Sequence, residues 1–277
     1  MKKITCLVDN SVKTSSPFWG EHGLSFCLEI DQMGALFDTG CSEVVLSHNL
    51  GQLGKCLRNT DAIILSHAHL DHTGGLLGVL SQKPGLSLYA SPDIFRPRFT
   101  LREGAYKPIG LSLPQKDLSQ ITDLHLSADP VQVLPGLWTT GEIKDRPEPE
   151  GRSTHHFVPN SDGWQPDPYQ DDMSLVMETQ VGLIVICGCC HAGLLNTLAH
   201  VQRIFQQPIS AIVGGTHLTN ADETYLQHVV EVLRKTYDNL LRFYLNHCTG
   251  EQAFLALSNA FGDRVNLCPA GTTLTFV

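Results

Sequence analysis

This 277-residue chain has no apolar run near the roughly twenty residues that a membrane-spanning helix needs, so no membrane partner is expected. Basic residues are scarce: 19 Lys and Arg against 28 Asp and Glu leave a formal net charge of −9. Such a surface repels phosphate backbones and anionic lipid, which argues against general nucleic-acid binding. Charge of either sign is modest at 17%, beside 42% hydrophobic residues, the balance of a chain that builds a sizeable core and not of a disordered one. The start carries Lys2 and Lys3 but only Ile4–Val8 before Asp9, too short for a leader-peptide core. Nine cysteines, an odd number, suit reduced thiols better than a disulfide framework, and a cytoplasmic location is the resulting expectation. There is no internal repeat and no low-complexity tract.

What the chain does have is His67-Ala68-His69-Leu70-Asp71-His72, three imidazoles and a carboxylate in six residues, directly after the apolar run Ala62–Ser66. If that run is a buried strand, His67 and His69 leave its end two residues apart and share a side. Asp71 and His72 then follow on the turn into the next helix. One or two divalent ions could sit there, zinc foremost, with iron or manganese as alternatives. Paired ions of this kind activate water against an ester or phosphoester. A single histidine on a turn would read as polar surface; this cluster does not.

Strands are predicted over Ile4–Val8, Leu24–Ile30, Ala35–Phe37 and Leu86–Ala90, and a helix from Gly74 to Leu80. In the second half, apolar runs at Leu183–Ile186, Ile209–Val213 and Phe243–Leu245 end at His191, His217 and His247 respectively. Helices should follow, since Leu194, Leu198, Val201 and Phe205 step by four, three and four, as do Leu226, Val230, Leu233 and Tyr237. Asn220 with Glu223 and Thr249 with Gln252 are the expected caps. Alternating strand and helix with polar residues at strand ends is the layout of an α/β site. The whole of residues 1–277 reads as one domain with loop insertions at about 91–129 and 141–171, the second holding Pro147, Pro149, Pro159, Pro166 and Pro168. Loops of that length often border a site.

Several further residues have two readings. Asp38, closing a strand at Phe37-Asp38-Thr39-Gly40, is expected to orient a ligand histidine, with direct ligation as the alternative. His217, after two glycines, and His22, before one, are candidates for substrate or ligand contact as well as for plain core hydrogen bonding. Cys187, Cys189, Cys190 and Cys248 are expected as small buried residues, with thiolate ligation as the alternative. His155 and His156 fall in the proline-rich insertion and are expected in solvent, unless a lid carries them to the metals. Arg96, Arg98, Arg102 and Lys107 place four of 19 basic residues within 12 positions. They form either a solvated loop or a phosphate-binding patch.

These motifs resemble the metallo-β-lactamase superfamily. HAHLDH at 67–72 is similar to its His-x-His-x-Asp-His signature and FDTG at 37–40 to the strand-ending Asp before it. VDN at 8–10, HGLSF at 22–26, HTGG at 72–75, TGEI at 140–143, GCCHAG at 188–193, GGTHL at 214–218 and HCTG at 247–250 resemble the dihydropterin-ribofuranosylaminobenzene-phosphate synthase-like subgroup. The resemblance implies an α/β four-layer αββα sandwich with metals along one edge of its paired sheets. It implies that His67 and His69 hold a first metal, that Asp71, His72 and His247 hold a second, and that His191 is a further ligand. The chain departs from the common pattern where Asp172, 19 residues before His191, stands in place of a histidine, and where Cys-Cys-His replaces a bridging Asp.

The expected function is therefore a metal-dependent hydrolase of a small phosphate-containing ester, with Asp71 and His217 as catalytic residues and His217 delivering the proton. Arg96, Arg98 and Arg102 are expected on the substrate phosphate. The alternatives are a transferase joining a pterin-methyl pyrophosphate to a ribofuranosylaminobenzene phosphate, and a metal-binding or redox protein with little hydrolytic power. Oligomeric state is not legible.

Overall fold

A computed structural model describes residues 1–54, 59–237 and 241–277. In chain order its strands and helices are β1 (Lys2–Val8), β2 (Ser25–Ile30), β3 (Met33–Phe37), α1 (Glu43–Leu53), β4 (Thr60–Ile64), α2 (Leu70–Thr73), α3 (Leu76–Gln82), β5 (Ser87–Ala90), β6 (Phe99–Arg102), β7 (Ala105–Pro108), α4 (Gln115–Ile121), β8 (Asp123–Leu126), β9 (Gln132–Leu134) and β10 (Leu137–Thr139). The remainder are β11 (His156–Asn160), β12 (Gly163–Pro166), β13 (Leu175–Thr179), β14 (Gly182–Cys187), α5 (Leu194–Phe205), β15 (Ile209–Gly214), α6 (Glu223–Thr236), β16 (Arg242–Leu245), α7 (Glu251–Phe261), β17 (Val265–Leu267) and β18 (Thr273–Phe276).

Two seven-stranded sheets run in the orders β18-β1-β2-β3-β4-β5-β8 and β17-β16-β15-β14-β13-β10-β9. Their apposed faces are joined by Ile4, Phe26, Phe37 and Ile64 from one sheet and Leu175, Met177, Ile186 and Val213 from the other, all fully buried or nearly so. The outer face of the first sheet is sealed by α1, α3 and α4 through Leu46, Val79 and Leu118. That of the second is sealed by α5, α6 and α7 through Leu198, Val229 and Leu257. This is an αββα sandwich. Each buried Leu, Ile, Val or Phe contributes about 1.5–3 kcal/mol, so three such layers supply most of the driving force.

Within each sheet the strands that lead to candidate site residues are parallel: β3, β4 and β5 in the first, β14, β15 and β16 in the second. Parallel strands end on the same edge, and ligand sites of α/β sheets lie beyond their carboxyl ends. Asp38, His67, the Cys189–His191 turn, His217 and His247 all follow such ends.

Four sequence expectations change. The cap of α6 is Asp222, whose side chain accepts from the Tyr225 N–H, and not Asn220; the cap of α7 is Gly250, not Thr249. The segment 91–129 is not all loop, because α4 and β8 add a helix and an edge strand to the first half of the sandwich. Its hairpin β6–β7 joins β11–β12 of the segment 141–171 in a separate sheet ordered β12-β11-β6-β7. Finally, Cys27 is disulfide-bonded, against the expectation of reduced thiols throughout, while Cys6, Cys41, Cys187, Cys189, Cys190, Cys248 and Cys268 are free.

Candidate metal centre

Asp38 sits at the end of β3 with a φ of 59° and no exposure, and its carboxylate organises the His67–His72 turn. It accepts from the Ser66 N–H and Oγ–H, both at 2.7 Å, and from His72 Nδ1 at 2.7 Å. Ser66 Oγ has given its hydrogen to Asp38, so it accepts from His67 Nδ1 at 2.9 Å. One carboxylate thereby places a proton on Nδ1 of both His67 and His72 and turns their Nε2 atoms inward. No Cβ fits at Gly188, where it would lie 2.3 Å from Ser66 Oγ, so glycine is what lets the β14 turn close against this bridge.

The same logic sets two further rings. His191 Nδ1 faces the Gly151 carbonyl at 2.8 Å, and its Nε2 is buried with no hydrogen-bond partner among the described residues; His247 Nδ1 faces Asn10 Oδ1 at 3.1 Å. The nitrogens converge. His67 Nε2 lies 3.0 Å from His69 Nδ1, and His72 Nε2 lies 3.2 Å from both His247 Nε2 and Cys189 Sγ. Ligands about 2.0–2.1 Å from one tetrahedral ion stand about 3.3 Å apart, close to these separations. Donor atoms of His67, Cys189 and His191 lie within 4.8 Å of one another, as do those of His72, Cys189 and His247. Asp71 Oδ2 completes the second group, 3.5 Å from His247 Nε2 and 3.8 Å from His72 Nε2. With the orphaned His191 nitrogen, this donor set fits one or two zinc-like ions.

Cys189 was the less expected member, and it stands in both groups where the superfamily pattern has a bridging carboxylate. Its thiol is pushed up by burial and by the neighbouring Cys248. Burial holds His67, His69 and His191 well below the ordinary histidine range, and lowers His247 to about 3. His72 goes the other way: burial opposes its charge, but Asp38 and Asp71 outweigh that and raise it to about 9. Burial would raise the Asp71 carboxyl, but His72, His247, His69 and His22 together hold it well below the carboxylate range.

Other expected residues fall around this centre. His22 is largely exposed, with Nε2 3.3 Å from Asp71 Oδ2. Asp172 is buried, accepts from the Ala192 N–H at 2.9 Å, and belongs to no donor group among the described residues; it steadies the turn carrying His191. The His217 ring lies tilted against His191 with centroids 4.3 Å apart, and its backbone N–H donates to Cys248 Sγ. Burial and neighbouring His156 lower His217 to about 4, so it is neutral at pH 7. His155 is exposed, whereas His156 lines the same cavity of about 540 Å³ as His69, Asp71, His191 and His247. Non-glycine residues with left-handed backbones crowd the site: Asp38, Tyr169, Cys190, His217 and His247. At about 1–2 kcal/mol each, this is strain that the surrounding packing sustains.

The structure corrects the arginine patch. Arg98 is fully buried, donating Nη2 to Asp171 at 2.6 Å and to Asp93 at 2.7 Å, with Nε 3.0 Å from Asp167 in an ion pair lacking hydrogen-bond alignment. It cannot reach a phosphate. Asp171 in turn accepts from the Ala68 N–H at 2.8 Å, so Arg98 braces the turn between His67 and His69. Arg96 is held by Asp93 and Gln170. Arg102 alone of the three lines the cavity, and no carboxylate pairs with it among the described residues. The sequence reading held thiolate ligation by Cys189 only as the alternative to a small buried residue, and it missed Tyr169 altogether. The strand-end place of Gly188-Cys189 was a usable signal for the first; nothing local marked Tyr169.

Residues 20–178 match the family description "Metallo-beta-lactamase superfamily". The chain belongs to that superfamily, whose members are metal-dependent enzymes. Among its relatives is the 7,8-dihydropterin-6-methyl-4-(beta-D-ribofuranosyl)-aminobenzene-5'-phosphate synthase of Methanocaldococcus jannaschii. The two are 30% identical over 290 residues, covering 99% of this chain and 96% of the relative. The solved structure of Tm1679, described as a metal-dependent hydrolase of the beta-lactamase superfamily, superposes with a TM-score of 0.83 at 24% identity over 99% of each chain. Zn²⁺-bound PqqB from Methylobacterium extorquens shares the fold, with a TM-score of 0.61 at 13% identity over 99% of this chain and 100% of that one.

Proposed function

We propose that this protein is a zinc-type metal-dependent hydrolase of a small phosphate-containing ester. The observation that carries the reading is the pair of donor groups sharing Cys189, opening onto a cavity whose wall holds Arg102, with which no carboxylate pairs among the described residues. Divalent ions in such a set supply Lewis acidity and lower the pKa of water. The chain's own residues do the rest. The Arg102 guanidinium offers a fork of donors to phosphate oxygens. Asp71 stays ionised and can hold a water hydrogen. His217, being neutral, serves as a hydrogen-bond partner at the leaving group and not as a stored acid.

The synthase relative supports a second reading, in which the same centre steadies a departing pyrophosphate while an organic acceptor attacks. Zinc-loaded protein would be assayed on phosphomonoesters, phosphodiesters, lactones and thioesters, then on a pyrophosphate ester with and without an aromatic acceptor. Hydrolysis confined to phosphate compounds and weakened in Arg102→Ala supports the first reading. Turnover only with the acceptor replaces it by the second, and turnover only of uncharged esters removes both.

A further inference from the structure

We propose that His156 contacts the substrate as a hydrogen-bond donor, its Nε2–H fixed by a one-way chain running from Ser153 through Tyr169. The chain is read from chemistry that admits one direction. The Ser153 backbone N–H lies 3.2 Å from Tyr169 Oη, and a backbone N–H only donates. Tyr169 Oη therefore accepts there, and its own hydrogen goes to its other neighbour, His156 Nδ1, at 2.9 Å. Nδ1 accepts, so the ring hydrogen of His156 sits on Nε2. The reverse arrangement would aim two donors at one oxygen and leave the phenol hydrogen of a buried tyrosine without an acceptor.

This is the opposite of the ligand histidines. His67, His191 and His247 carry hydrogen on Nδ1 and turn a bare Nε2 to the centre, and His72, with Nδ1 held by Asp38, loses its Nε2 hydrogen when an ion binds. His156 lines the same cavity, edge-on to His69 with centroids 4.8 Å apart, and presents an N–H instead of a lone pair. It suits an oxygen of the substrate, not an ion. Its placement is stiff: β11 pairs with β6 at His156 and Thr100, two residues before Arg102, and Tyr169 stacks on His191 at 4.1 Å and 9°. The small sheet thus brings a donor and a guanidinium to one wall, facing the donor groups. The ligand class is an oxyanion, and its identity as phosphate rests on the function proposed above.

The test uses zinc-loaded full-length protein. Long-range ¹H–¹⁵N correlation should show His156 with hydrogen on Nε2, and Tyr169→Phe should shift it to a mixture of tautomers. Inorganic phosphate, titrated calorimetrically, should bind about threefold to tenfold more weakly to His156→Ala, with zinc content unchanged. His156→Gln, which keeps an N–H donor, should recover part of that loss. An Nδ1–H tautomer in the wild type, or phosphate binding by His156→Ala equal to wild type, overturns the proposal. Wild type that ignores phosphate overturns the phosphate reading instead, and the donor assignment then stands or falls on the tautomer.

Discussion

Asp38→Asn should cost about 10- to 100-fold in zinc affinity while leaving the fold in place. The replacement has nearly the same size, and Asn adopts left-handed backbone readily, so the φ of 59° adds no strain. What changes is one charge and the direction of two hydrogen bonds. A buried hydrogen bond to a charged group is worth about 1.5–3 kcal/mol, which at about 1.4 kcal/mol per decade gives the range stated. Carboxylate partners of ligand histidines show losses of the same size. The mechanism reaches both donor groups, because Asp38 holds His72 directly and His67 through Ser66. An Asn amide turned toward His72 would donate to Nδ1 and send the ring hydrogen to Nε2, where a ligand lone pair is required. Competition against a chelating dye measures the affinity, and circular dichroism reports the fold. Wild-type affinity in Asp38→Asn would refute the argument that this carboxylate sets the ligand tautomers.

Three further outcomes are expected. Filling the site at pH 7 should release about two protons, one from His72, raised to about 9, and one from the Cys189 thiol, whose pKa burial raises; zinc affinity should therefore rise as pH climbs toward 9. Calorimetry in buffers of different ionisation enthalpy counts those protons, and a release near zero contradicts the assignment. Cys189→Ser, close in size but without the soft donor, should weaken zinc at both positions by more than about tenfold and release one proton fewer. Unchanged metal content by mass spectrometry would remove Cys189 from the ligand set. Arg98→Met should lower unfolding free energy by about 3–5 kcal/mol in urea, since it strands Asp167 and Asp171 buried without their cation. A loss under about 1 kcal/mol would show that those carboxylates are relieved in another way.

Much of the site was legible because it is built from strand ends. A run such as Ile209–Val213 announces a buried parallel strand through its unbroken apolar character, and the residue after it must emerge at the sheet edge. That reasoning needs only local sequence, so His67, His69, Asp71, His72, His191 and His247 could be nominated from motif and position. The four-layer sandwich followed from the resemblance these motifs carry and not from periodicity. The caps of α6 and α7 were misplaced because several residues near each helix start can accept an N–H, and only the backbone path selects among them.

Local pattern could not decide which charges are spent on the fold. Arg98 and Arg102 lie four residues apart in one basic cluster, yet Arg98 is walled in by Asp93, Asp167 and Asp171, two of them some seventy residues away, while Arg102 reaches the cavity. Likewise nothing beside Tyr169 reveals that its ring lies on His191 or that its hydroxyl sets His156. The sequence by itself determined where the candidate ligand-bearing turns occur, since burial of a strand and exposure of its end are properties of a few consecutive residues. Only the tertiary structure decided which thiol lies between the two donor groups, which arginine reaches the cavity and which nitrogen of each histidine carries hydrogen. Those depend on partners brought together from distant segments, and a hydrogen bond or ion pair exists only once both partners are in place.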